Sequence, residues 1–176
     1  LKYKEKVKKR YFTESMKLYH NIEKLESKEL YRWSNYQNEF FNEDGSIQRT
    51  NRYLKVIQYV EKVGVTNVLE VGGNAGALSQ LLVESNTVEY AICTDYDRMA
   101  VDRCYMRCKE NAKLNKRIYP VILNILDERE ITFKTRPKRL KCQMVIALAI
   151  SHHLILAQKC RLQHLIDILS MYTSQY

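Results

Sequence analysis

Glycine is scarce in this 176-residue chain: there are five, and proline occurs only twice. Such scarcity excludes collagen-like repeats and a Pro/Gly-rich disordered composition, and it makes any cluster of glycines informative. Long apolar runs are also missing. The longest, Met144 to Ile150, is strand-sized and far short of the roughly 18 residues of a membrane-spanning helix. The opening ten residues carry six Lys or Arg and no apolar block, so they do not read as a secretory leader. No CxxC pair occurs among the five cysteines, Cys93, Cys104, Cys108, Cys142 and Cys160. Cys104 and Cys108 share a helix face, but no second ligand pair accompanies them. The pattern argues against a zinc site and a secreted disulfide framework, and it reads as reduced cysteines in a cytoplasmic protein with no metal.

What is present is enough for one sizeable core with a short extension. Hydrophobic residues make up 45% of the chain. Net charge is +9, concentrated in Lys2–Arg10, Arg103–Arg117 and Arg129–Lys141. This balance suits anionic partners, nucleic acid among them, yet no RNA- or DNA-binding motif accompanies it, and nucleic acid is not the favoured partner.

Residues 3–30 read as one amphipathic helix, with Val7, Tyr11, Leu18, Ile22 and Leu25 on a single stripe. The stripe fits a helix covering a domain surface, or a contact for self-association. The heptad pattern is short, which favours the first. Residues 28–48 gather Tyr31, Trp33, Tyr36, Phe40 and Phe41 and end in the turn signal Asp44-Gly45-Ser46. This segment is expected either as a hydrophobic cluster or as a lid over a substrate. Residues 1–49 form a helical and aromatic extension in this reading, and residues 50–176 the core. A helix from Thr50 carries Tyr53, Leu54, Ile57, Val60 and Val63 on one face and stops at Gly64. Strands and helices then alternate. Strands are expected at Asn67–Val71, Tyr90–Thr94, Tyr119–Ile125 and Met144–Ile150. Helices are expected at Gly76–Glu84, Arg98–Leu114, His153–Ala157 and Leu162–Tyr172. Strands apolar throughout and separated by helices predict an α/β fold: a doubly wound, mostly parallel sheet covered on both faces.

Three of the five glycines fall in one turn, between strand and helix, in "VLEVGGNAGALSQLL". Ligands in such folds sit beyond the carboxyl ends of the strands. Glycines there permit positive φ and a close backbone approach. The spacing Glu70-x-Gly72-x-Asn74-x-Gly76 is neither the dinucleotide pattern nor a phosphate loop. An acid at the strand end suits a ligand with positive charge, such as an ammonium or sulfonium. Asp95, closing the next strand in "CTDYD", is placed to accept hydrogen bonds from ribose hydroxyls. Asn124 and Asp127, in "ILNILD", are placed to read an adenine amino group.

The stretch Val68–Ser151 resembles the class I, Rossmann-like S-adenosylmethionine-dependent methyltransferases. Their first motif, an acidic residue followed by GxGxG, is matched by Glu70, Gly72, Asn74 and Gly76, with Asn at the middle glycine. Their ribose acid matches Asp95, and their adenine-reading position matches Asn124 or Asp127. The resemblance implies S-adenosyl-L-methionine as cofactor and adds Gly73, Tyr96, Ile125 and Ala147 to the residues around it. More narrowly, "GGNAGALS", "TDYD", "NAKLNKRIYPVILN" and "ALAISHHLIL", with the lead-in Trp33-x-x-Tyr36, look like a bacterial subgroup that includes nodulation-type methyltransferases. The complete family fold has seven strands. Only four read here, so the sheet is expected to be incomplete at the carboxyl end and the natural protein longer.

Methyl transfer is an in-line displacement, so the protein's task is to align the acceptor and exclude water. An oxygen acceptor also needs a general base, for which His152 and His153 are the candidates. In the opposing reading Ser151 caps a helix and one histidine packs in its first turn. His20 and His164 read as helix-surface residues. The resemblance favours a small-molecule or glycan acceptor, approached through Trp33 and Tyr36. The alternatives are an RNA or protein methyltransferase, or a non-catalytic cofactor-binding or scaffold module.

Overall fold

The computed structural model describes residues 37–127 and 135–176. Trp33, Tyr36, His20 and the 3–30 stripe lie outside the described residues.

The first helix, α1 (Asn51–Val63), begins where the Thr50 side chain accepts a hydrogen bond from the Tyr53 N–H. It ends at Gly64, whose φ of 74° is the left-handed cap that glycine adopts without strain. Tyr53, Ile57 and Val60 are its buried face. Strand β1 (Asn67–Val71) follows, then α2 (Ala77–Glu84), β2 (Tyr90–Asp95), α3 (Arg98–Glu110), β3 (Ile118–Ile122), α4 (Thr135–Arg139), β4 (Met144–Ile146), a π-helical turn (His153–Ala157) and α5 (Leu162–Met171). The four strands pair in the order β3-β2-β1-β4, all parallel. Chain order reverses between β1 and β4, so the carboxyl ends of these two strands flank the crevice where such folds hold ligands, with the end of β2 next to β1.

Two cores sandwich the sheet. On one face Tyr53, Ile57 and Val60 of α1 and Leu78, Leu81 and Leu82 of α2 pack with Cys104 and Cys108 of α3. On the other, Leu69, Val71 and Ile92 pack against Leu165, Ile168 and Tyr172. Residues 37–47 fold into a small loop closed by an antiparallel bridge between Phe41 and Ile47. The Asp44-Gly45-Ser46 signal is a turn, as expected, with Gly45 at φ 77°. It is tied down rather than loose: the Asp44 carboxylate accepts from both Ser46 N–H (2.9 Å) and Ser46 Oγ (2.6 Å).

Several elements are shorter than the sequence pattern predicts. β3 ends at Ile122 and β4 at Ile146. Leu123 and Ile125 are buried, and Ile150 half-buried, by packing onto the second core and not by strand pairing. α3 stops at Glu110, because Asn111 turns to extended backbone. Beyond α5 the chain returns alongside β4. Thr173 bridges Cys142 in parallel, the Ser174 N–H donates to the Cys142 carbonyl (2.8 Å), and the Val145 N–H donates to the Tyr176 carbonyl (2.9 Å).

Candidate active site

The glycine turn holds its own shape. Every backbone N–H from Gly73 to Ala77 has an acceptor within the chain. Gly73 donates to the Thr94 carbonyl (2.9 Å), and Gly76 to the Gly73 carbonyl (2.8 Å). Asn74 donates to Asp95 Oδ2 (2.8 Å), and Ala75 to Asn74 Oδ1 (2.9 Å). Ala77 donates to Gln37 Oε1 (3.2 Å). Gly72 and Gly76 sit at φ 69° and 81°, the left-handed region that the motif's glycines predict.

The space beside these glycines belongs to the protein's own side chains. A Cβ on Gly72 would run into Ile150 Cδ1. One on Gly73 would lie 2.6 Å from Cys93 Sγ, and one on Gly76 2.6 Å from Cys104 Sγ. The turn therefore rests on a floor of sulfur and on the loop that follows β4. Cys93, Cys104 and Cys108 are all buried. Hydrogen bonding to Cys104 favours the Cys93 thiolate, but burial and the nearby Glu70 and Asp95 outweigh it and raise the thiol's pKa. These thiols are packing groups of low reactivity.

Three carboxylates are buried around the turn: Glu70 closing β1, Asp95 closing β2, and Asp97 just beyond it, 3%, 7% and 1% exposed. Glu70 Oε2 accepts from Ser79 Oγ (2.5 Å) and Ser79 N–H (3.1 Å). Burial outweighs these bonds, and Asp95 adds repulsion, so Glu70 is pushed up to about 7. Asp95 accepts the Asn74 and Asp97 N–H groups, the latter at 2.9 Å, and burial still raises its pKa. Asp97 Oδ1 caps α3, accepting from Met99 N–H (2.9 Å) and Ala100 N–H (3.3 Å), while its Oδ2 is buried without a hydrogen-bond partner. Among the described residues no Lys or Arg bonds to any of the three. Buried carboxylates are ordinarily paired, so a positive charge placed beside these three would favour their ionised forms.

The remaining candidates gather unevenly. Leu123 N–H donates to the Asp95 carbonyl (2.8 Å), which carries residues 123–127 to the carboxyl end of β2. Ile125 is buried there and Asp127 half-buried. Asn124 is exposed, and its Oδ1 is occupied by the Leu126 N–H (3.1 Å). Tyr96 is 47% exposed at the mouth, beside exposed Met99. Ala147 leaves β4 half-buried, and Ala149 follows in the left-handed region at φ 59°. His152 and His153 come next, ring centroids 3.9 Å apart, the first exposed and the second half-buried. Burial and the His152 charge lower the pKa of His153. Ser151 forms no cap bond: the Ile150 carbonyl accepts both the His153 and Leu154 N–H groups. Sequence reasoning missed Gln37, Ser79, Asp97, Arg107 and Ile150. Only Asp97, an acid immediately before a helix, carried a local signal.

The overall fold is similar to that of solved structures. The methyltransferase domain of a bacterial Hen1 (CtHen1-CN) matches with a TM-score of 0.56 at 20% identity, over 70% of this chain and 61% of that domain. This is a Rossmann-like methyltransferase fold. YJHP from E. coli matches with a TM-score of 0.54 at 10% identity, over 82% of this chain and 51% of its own. WbdD, solved with a kinase inhibitor, matches with a TM-score of 0.53 at 18% identity, over 72% of this chain and 29% of its own. The chain thus spans about six-tenths of the Hen1 domain and less of the others. No protein-family model and no curated protein matches it. Among the described residues no helix is long and apolar enough to cross a membrane.

Proposed function

We propose that this chain binds S-adenosyl-L-methionine and serves methyl transfer. One observation carries the reading: three buried carboxylates, with no cationic partner among the described residues, surround the glycine turn of a methyltransferase fold. A sulfonium and an ammonium supply the charge that this cluster lacks. Asp95 would hold the ribose hydroxyls with the lone pairs its backbone bonds leave free. Glu70 would favour the ammonium through the field it sets up, and Gly72, Gly73, Asn74 and Gly76 would shape the wall beside the methionine half. Tyr96, Ile125, Asn124, Asp127 and Ala147 would line the adenine end. The cofactor, when bound, supplies an activated methyl group. The protein then has only to bring an acceptor into line and keep water out. For an oxygen acceptor His153 is a candidate base, since burial lowers its pKa and so favours the neutral imidazole that can take a proton.

We favour a small-molecule or glycan acceptor, on the strength of the stretches similar to nodulation-type enzymes. Trp33 and Tyr36 would form its platform. Gln37, next to Tyr36 in the chain, already reaches the start of α2. A polynucleotide is the second reading, favoured by exposed Lys109, Lys113 and Lys116 near exposed Tyr105 and Tyr119. A methyl-transfer screen across both acceptor classes separates them.

Calorimetric titration with S-adenosyl-L-methionine tests the cofactor directly. Asp95→Ala should weaken binding by about 1.5–3 kcal/mol, because ribose hydroxyls lose a charged acceptor. Absence of binding to the natural protein refutes the reading, and unchanged affinity in the variant removes Asp95 from it.

A further inference from the structure

Three parts of the chain meet at one guanidinium. Arg107, half-buried on α3, points toward the glycine turn, and one of its Nη groups donates to the carbonyl of Ala75. Its Nε donates to Gln80 Oε1 on α2 (2.9 Å). Its Cζ lies 4.0 Å from the centroid of the Phe41 ring, which comes from the loop of residues 37–47. Gln80 is 1% exposed, and its Nε2 reaches back to that loop through the Gly45 carbonyl (3.4 Å). Gln37, at the loop's start, accepts the Ala77 N–H. The loop and the turn therefore share fastenings at Arg107, Gln80 and Ala77. Arg107 touches the turn's backbone, α2 and the loop together.

A lysine could not reproduce this. The planar fork donates from Nε and Nη in two fixed directions while its flat face lies against an aromatic ring, and a compact ammonium on a flexible stem does not hold all three contacts at once. The Ala75 carbonyl sits between Asn74, which bonds Asp95, and Gly76, whose φ is 81°. Holding that carbonyl fixes the plane of the Ala75–Gly76 peptide.

We propose that Arg107 is a positioning residue for the glycine turn: it fixes the turn through the Ala75 carbonyl and couples it to the 37–47 loop, so that the two order and loosen together. The consequence for the cofactor rests on the function proposed above; the coupling does not. Binding at the turn should tighten residues 37–47, although that loop precedes the whole sheet in sequence.

Hydrogen exchange and calorimetry on the full chain test this with Arg107→Met, Arg107→Lys and Arg107→Ala. In Arg107→Met, amides of residues 73–77 and 40–48 should exchange faster together, by about tenfold or more, with β1, β2 and α5 unchanged. Affinity for S-adenosyl-L-methionine should fall by about tenfold, the scale of one charged hydrogen bond. Arg107→Lys should behave like the methionine variant despite its charge. Ethylguanidinium should restore part of both protections in Arg107→Ala, a rescue that a general packing defect would not show. If Arg107→Met fails to fold, the lysine variant carries the same comparison. Faster exchange in the turn without the loop, or full function in Arg107→Lys, overturns the proposal. If the natural protein binds no S-adenosyl-L-methionine, the functional reading falls, and the exchange data alone still decide the coupling.

Discussion

Glu70 shows how a single burial sets behaviour across the physiological pH range. An unfolded glutamate ionises near 4.5, while the folded residue does so near 7. Ionising it therefore costs more in the folded chain. For this group alone, stability is greatest below about pH 4.5 and falls as pH rises through 7, by on the order of 3 kcal/mol. A cationic ligand reverses the preference, because it favours the carboxylate. Binding of S-adenosyl-L-methionine at pH 6.5 should thus release a proton, and affinity should rise between pH 6 and 8. Calorimetry in buffers of different ionisation enthalpy measures the release. Glu70→Gln should abolish it, weaken binding, and raise the unfolding midpoint at pH 8; a pH-independent affinity in the natural protein would contradict the assignment. The glycines make a second case. Positive φ at Gly72 and Gly76 was legible, because turns of this spacing demand it. What fills the space beside them was not, since Cys93 and Cys104 arrive from a later strand and helix. Gly73→Ala should lower stability by about 1–3 kcal/mol through overpacking on Cys93 Sγ. Adding Cys93→Ala should recover part of that loss in a denaturation cycle, and strictly additive effects would show that the sulfur is not the obstacle.

At the level of elements, legibility followed the origin of each burial. Helix α1 could be read end to end because its cap, its spacing and its stop are local: Thr50, the Tyr53–Ile57–Val60 face, and Gly64. Removing the cap in Thr50→Ala should cost about 1 kcal/mol, read as a lower urea midpoint with unchanged slope; no change would mean the bond from Tyr53 N–H contributes nothing. β1 and β2 were legible because strands covered on both faces are apolar throughout. The ends of β3 and β4 were not. Leu123, Ile125 and Ile150 look like further strand residues, but they turn away and pack as loop residues on the second core. Ile150 also covers Gly72, which joins the loop after β4 to the turn after β1. Helix α4 had no readable stripe, being five residues with three cations and Pro137.

Across the whole molecule, the alternation of apolar strands with helices was enough to give the class of fold and the edge of the sheet at which to look for a site. The site's electrostatic character came only with the structure, because it depends on which acids are buried together and on the absence of a basic partner for them among the described residues. Among the described residues Lys109, Lys113 and Lys116 are exposed beyond the middle of α3 and in the turn that follows it. The return of residues 173–176 along β4 has a consequence for handling the protein. Those four residues shield the outermost strand of the sheet, occupying the Val145 N–H and the Cys142 and Gln143 carbonyls. Bare strand margins recruit other chains. Trimming the chain after Thr173 should therefore leave the melting temperature of dilute samples nearly unchanged while light scattering rises with concentration. Ser174→Pro should do the same, because it removes the N–H that the Cys142 carbonyl accepts and so lifts this segment off its neighbour.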